Sequence, residues 1–112
     1  MQDLPKSAKR RLRELARLAH ERELGRELEA LAAKVDAWRA GQISAFDLDE
    51  AIYRYDRGVA RELEKRYNNH HYLHLSVAWA LTEGLLSDDE VAAVRPHLAG
   101  ALAFYKEQGA DT

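Results

Sequence analysis

Apolar residues recur at three- and four-residue intervals along nearly the whole chain, the spacing of amphipathic helices, and no stretch alternates with period two long enough for a strand. From about Ser7 to Ala40 the pattern changes phase. Leu12, Leu15, Leu18 and Ala19 share one face; Leu24, Leu28, Leu31, Val35 and Trp38 share another, roughly opposite at about 100° per residue. Glu21, Arg22 and Glu23 separate the two stripes, and Gly25 follows. Either the helix breaks or bends near Gly25, or one long helix touches different partners at its two ends. In the second case the basic start, residues 5–22, reaches beyond the protomer's own core into a second copy.

Gly41 ends this segment as a C′ glycine does. Ser44 and Asp47 form a variant capping box that opens a second helix, with Phe46 in its first turn. Its expected inward stripe is Leu48, Ala51, Ile52, Tyr55, Val59 and Leu63, which Gly58 interrupts without shifting its phase. Asn68 and Asn69 mark a turn. Tyr72–Leu86 is apolar almost all round and should be the central helix. Ser87 and Glu90 make a second capping box, and Pro96 reads as the N1 residue of a last helix carrying Leu98, Leu102 and Tyr105. The expectation is an all-α, compact bundle of about five helices with a long N-terminal helix. It forms one domain over residues 1–112, frayed at 1–6 and 109–112.

Composition narrows the class without naming a function. The 112 residues are 46% hydrophobic and 32% charged, as in a globular domain. There is no cysteine, which removes disulfides and thiolate chemistry and fits a reducing, cytoplasmic setting. No apolar run approaches a membrane span, so no membrane partner is expected, and no cofactor motif is present. Net charge is −2, unevenly spread: residues 1–26 hold eight Lys/Arg against four Asp/Glu, and residues 83–112 hold two against six. Such polarity orients a molecule toward a charged partner or toward itself, unless both ends are simply solvated.

Chemical variety concentrates between Trp38 and Trp79, which holds seven of the nine aromatic residues and His70, His71 and His74. Tyr53 lies off the apolar stripe and Trp38 ends the first helix, so Tyr53, Arg54, Arg57, Arg61 and Trp38 are the interaction candidates; aromatics and arginine are enriched at interfaces. A basic face of Arg54, Arg57 and Arg61, joined to Lys9, Arg10, Arg11 and Arg13, offers a phosphate-tracking surface, although interleaved acids produce the same pattern in a surface ion-pair lattice. His70 and His74 share a helix face if the helix is continuous, and Asp56 or Glu62 on the preceding helix is the acidic candidate for a third ligand; no motif supplies a full metal set. Arg66 and His71 match the Arg-x4-His spacing that resembles the HEPN ribonucleases, small all-helical bundles. Arg13 and His20 come close to it, and Tyr67 stands where that family commonly has a polar residue.

A broader resemblance runs through Glu21-Arg22-Glu23-Leu24, Trp38-Arg39-Ala40-Gly41, Ile43, Phe46, Leu48, Ile52, Ala60-Arg61-Glu62-Leu63, Tyr67-Asn68 and Ala78 to Gly84. Over about two thirds of its length the chain is similar to a group of short bacterial hypothetical proteins with no assigned activity. The resemblance implies histidine at the positions held here by Tyr53 and Asp56. It implies a small cytosolic protein and no catalytic role. The leading functional expectation is a small non-enzymatic interaction or regulatory protein, with a homodimer as one form. The alternative is a nucleic-acid-associated regulator, followed by a metal-dependent hydrolase or HEPN-like ribonuclease.

Overall fold

The computed structural model describes residues 4–110, with side chains to Lys106. The fold is all-α: 85% of the chain is helical and no strand occurs among the described residues. Helix α1 spans Lys6–Arg39, α2 Ala45–Arg54, α3 Ala60–Tyr67, α4 Leu73–Thr82, α5 the single turn Asp88–Val91, and α6 Ala99–Ala110. A π turn, Tyr55–Val59, joins α2 to α3, and 3₁₀ segments precede α4 (His70–Tyr72) and α6 (Ala92–His97). Pro96 sits inside the second 3₁₀ segment and not at the first position of α6. Of the ends expected to fray, Leu4 packs on the core and helical backbone continues to Ala110; positions 1–3 and 111–112 lie outside the described residues.

The α1 helix runs unbroken for 34 residues through Gly25, about 51 Å at 1.5 Å per residue. It sets the long dimension of a molecule measuring 53 × 31 × 24 Å. Its two faces serve two neighbourhoods. Ala8, Leu12, Leu15, Ala16 and Ala19 are buried in the main core against Leu63, Tyr67, Leu73, Val77, Ala80 and the 85–98 segment. This overturns the expectation that residues 5–22 project beyond the protomer's own core. The basic end is the anchored end. Arg11 donates to the Glu90 carbonyl (2.8 Å), and Arg22 forms a fork with both Glu90 carboxylate oxygens (2.8 Å each) and reaches the Leu85 carbonyl (2.8 Å). Part of the opposed charge of the two termini is therefore matched within the chain.

The other half of α1 and the antiparallel α2 form a hairpin arm beyond that core. Leu48 is the sole buried apolar residue on it; Leu31, Val35 and Tyr55 are half-buried. The expected termination signals are in place. Gly41, at φ +76°, closes a Schellman motif, with Gln42 N–H to the Ala37 carbonyl (2.8 Å) and Gly41 N–H to that of Trp38 (3.0 Å). Gly84, at φ +73°, ends α4 in the same way, short of the Leu86 end expected for that helix. In both capping boxes, Ser44–Asp47 and Ser87–Glu90, the two reciprocal bonds are formed at 3.0–3.1 Å. The α4 helix is central as expected, with Leu73, Ser76, Val77, Ala78 and Ala80 buried.

The second stripe departs from expectation. The departure is at one position: Leu48, Ala51, Tyr55, Val59 and Leu63 face inward as expected, in four-residue steps from Ala51 through to Tyr67, while Ile52 is largely exposed. On an ideal helix a strict four-residue repeat drifts about 40° per step. The π turn corrects that drift: Ala60 N–H bonds to the Tyr55 carbonyl five residues back. One inserted residue turns the remaining helix by about 100° and keeps both halves facing α1. Gly58 therefore lies where the phase does shift.

The Glu90 carboxyl is held down to about 2 by the Arg22 guanidinium, then by the Ser87 backbone N–H. A carboxyl depressed in the folded state contributes stability above its unfolded value and loses it as pH falls. Stability should decline between about pH 4.3 and the folded value of about 2, and urea titrations of Glu90→Gln should show a shallower decline there.

Candidate functional site

Where body and arm meet, a carboxylate sits on the core phase of α1. Glu23 follows Ala16 and Ala19 at helical spacing, and its side chain is only 17% exposed. From α3, the Arg66 Nη1 donates to both its oxygens (2.9 and 2.8 Å), and the Tyr67 hydroxyl donates to Oε1 (2.6 Å). The guanidinium of Arg66 lies 4.9 Å from the centroid of the Trp79 ring, a cation–π contact. The Trp79 ring meets Tyr105 edge-on at 5.9 Å, and its own Nε1 is buried without a hydrogen-bond partner among the described residues. His20 stacks on Tyr67 at 5.3 Å. The Ser76 hydroxyl donates to the Arg66 carbonyl (2.5 Å) and ties α4 to the same point.

An open groove of about 610 Å³ runs beside this network, lined by Glu23, Glu27, Tyr53, Arg57, Glu62 and Arg66 among others, with Gly58 of the π turn on its wall. The groove joins the interaction candidates Tyr53, Arg54 and Arg57 to the network. Tyr53 is 61% exposed and carries the Arg57 guanidinium 5.7 Å from its ring centroid. Arg54 is exposed and paired with Glu50 (2.8 Å); Arg61 and Trp38 are exposed, Trp38 at the far end of α1. Phe46, placed in the first turn of α2 without a role, is 87% exposed and shares the outer face of α2 with Tyr53, seven residues on.

The basic candidates do not form one face. Lys9, Arg10 and Arg13 are exposed near the start of α1, while Arg57 stands level with Glu27, about 20 Å further along at 1.5 Å per residue. Arg11 is engaged with Glu14 and the Glu90 backbone. His70 and His74 are not on a continuous helix: Tyr72, at φ −129°, ψ 32°, breaks the geometry between the 3₁₀ turn and α4. No group of three His, Asp or Glu suited to a metal ion is assembled among the described residues, and Asp56 is exposed on the π turn. His71, the partner of Arg66 in the Arg-x4-His spacing, does not line the groove; it packs edge-on to Tyr72.

Reasoning from sequence passed over Glu23, Tyr67, His20 and Trp79. The signal for Glu23 was its place on the Leu12–Ala16–Ala19 stripe, and for Tyr67 its four-residue step from Leu63. Comparison of the chain with protein families, curated proteins and solved structures finds no match.

Replacing Glu23 by Ala leaves the Arg66 charge half-buried and the Tyr67 hydroxyl unpaired, and should cost about 2–4 kcal/mol in urea denaturation. The double replacement Glu23→Leu, Arg66→Met should recover most of that loss; a double variant as weak as the single would disprove the pairing. Burial first, then the Glu23 carboxylate, raises the Tyr67 phenol above its ordinary range. Its contribution is full below about pH 10 and is lost as pH rises further, a decline that Tyr67→Phe should lessen.

Proposed function

We propose that the chain is a small, non-enzymatic interaction protein whose hairpin arm, residues 21–54, presents the binding face. One observation carries the reading. The arm holds five of the large apolar side chains that the fold leaves exposed, Leu28, Trp38, Phe46, Ile52 and Tyr53, and of its own apolar residues buries only Leu48, which keeps 9% exposure. Large apolar side chains left exposed together mark protein contacts, and here Phe46 and Tyr53 share the outer face of α2 while Leu28 and Ile52 share a flank of the hairpin. The charged groups with the most specific geometry are committed to holding the fold: Glu23 to Arg66 and Tyr67, and Glu90 to Arg22. The groove beside them is open, and its walls carry Tyr53 and Arg57, side-chain types that often dominate binding energy.

The cysteine-free composition supports a reducing compartment, and no helix among the described residues is long and apolar enough to cross a membrane. The nucleic-acid reading has weaker support, because acids interleave the Arg54–Lys65 stretch and the second basic group lies apart from it.

A photo-crosslinking residue placed at Phe46 or Tyr53 should capture a protein partner in the native host, and one placed at Ala93 on the body should not. Equal capture from all three positions would refute the assignment of the face. In the same series Tyr53→Ala should change stability by no more than about 0.5 kcal/mol, while Leu63→Ala should cost about 2–5 kcal/mol by urea denaturation. Ile52→Ala should resemble Tyr53→Ala more than Leu63→Ala, since Ile52 lies outside the core.

A further inference from the structure

The outer flank of α1 carries a pattern that the chain uses only in part. Glu21, Gly25, Leu28, Ala32, Val35 and Arg39 are spaced alternately by four and three residues, the a/d rhythm of a two-helix seam. On an ideal helix they fall within about 80° of one another, roughly opposite the face that Leu12, Leu15 and Ala19 bury. Glu21, Leu28, Ala32 and Arg39 are exposed; Gly25 and Val35 are half-buried. Because α2 packs antiparallel to α1, helical phase puts Ile52 on the same flank as Leu28, where both are nearly half exposed.

Gly25 is the decisive residue. A glycine in the middle of a helix costs about 1 kcal/mol relative to alanine. Its usual compensations are a turn, a positive φ or a close backbone approach. Gly25 lies inside an unbroken helix, is not among the glycines of positive φ, and a methyl group built on it meets nothing within 4 Å. Nothing in its own chain explains it.

We infer that α1 packs against α1 of a second copy, antiparallel, across a two-fold axis beside Ala30. This rests on the reading of the arm as an interaction surface and names the partner of its α1 flank. The pattern is self-complementary in that orientation. Leu28 faces the partner's Ala32, and Val35 faces the partner's Gly25, so each large side chain meets a small one and the two backbones approach closely. Glu21 faces the partner's Arg39, opposite charges at both ends of the seam; neither has an ion-pair partner in its own chain among the described residues. A parallel arrangement would set Glu21 on Glu21 and Arg39 on Arg39. The two bodies lie at opposite ends of the paired helices, on the faces turned away from the seam, and the two Ile52 side chains flank it. Phe46 and Tyr53, on the outer face of α2, remain free for another partner.

Sedimentation equilibrium of the full chain tests this directly. A dimer is expected at tens of micromolar. Gly25→Leu should return the chain to a monomer with an unchanged or higher melting temperature, since the helix itself gains from losing glycine. Glu21→Arg alone, or Arg39→Glu alone, should weaken association roughly tenfold or more, and the two together should restore it. The chain has no cysteine of its own, so introduced thiols report uniquely. A mixture of Gly25→Cys and Val35→Cys chains should form a heterodimeric disulfide on oxidation. Neither chain should crosslink with itself, because identical positions lie about 15 Å apart along the axis. A monomeric full-length chain would overturn the inference and leave the α2 face to its own crosslinking test. A dimer indifferent to Gly25→Leu and to the charge exchange would overturn it as well, by placing the contact elsewhere.

Discussion

Everything in this molecule is arranged around the length of α1. A helix of about 51 Å is longer than a domain of this size can wrap. A compact chain of 112 residues has a radius of gyration near 13 Å, whereas this one has 17.1 Å. The remaining seventy residues therefore cover one half of α1 with a true core and the other half with a single helix. The change of apolar face along α1 is the sequence's record of that division. Each half is amphipathic, but toward a different neighbour.

The junction between the halves is secured by chemistry instead of apolar packing. Glu23 stands where the core stripe ends, and Arg66, Tyr67 and Trp79 close over it. A partly desolvated ion pair contributes little net stability when intact but is costly to break, so its value here is geometric. It fixes α3 at one height along α1. Through the π turn it also fixes the direction in which α2 leaves. Arg22 does the corresponding work on the other side, gripping the Ser87 capping box through Glu90. The charge imbalance between the chain's ends is thus partly an internal fastening.

How much of this was legible in the residues divides along physical lines. Local rules held. Both capping boxes, the helix-ending Gly41 and the centrality of α4 follow from backbone chemistry within a few positions, and they can be read without knowing the fold. Phase over longer distances did not hold. An ideal 3.6-residue wheel put Ile52 inside, and only the inserted residue of the π turn moves it out. Glu23 was hidden for a different reason. Its charge marked it as a spacer between two stripes, although its position placed it on one of them. The residue-level signal was present but pointed two ways, and only the arrival of Arg66 and Tyr67 from a helix forty residues away decides between them. The interaction candidates fared unevenly for the same cause. Tyr53 and Arg57 share a groove, while the histidines, read as neighbours on one helix, are separated by a break at Tyr72.

The π turn also makes the shape of this protein unusually sensitive to chain length at a single place. Deleting one residue among 55–59 would let an ordinary helix run from α2 into α3 without loss of any backbone bond. Because α1 is continuous, the arm would keep its direction, but α2 would turn by about a quarter turn about its own axis against α1, carrying Phe46 and Tyr53 to a new bearing while the core of the body stayed as it is. A one-residue gap in the gene is thus a ready route to a sister protein with the same body and a different face of α2 turned outward.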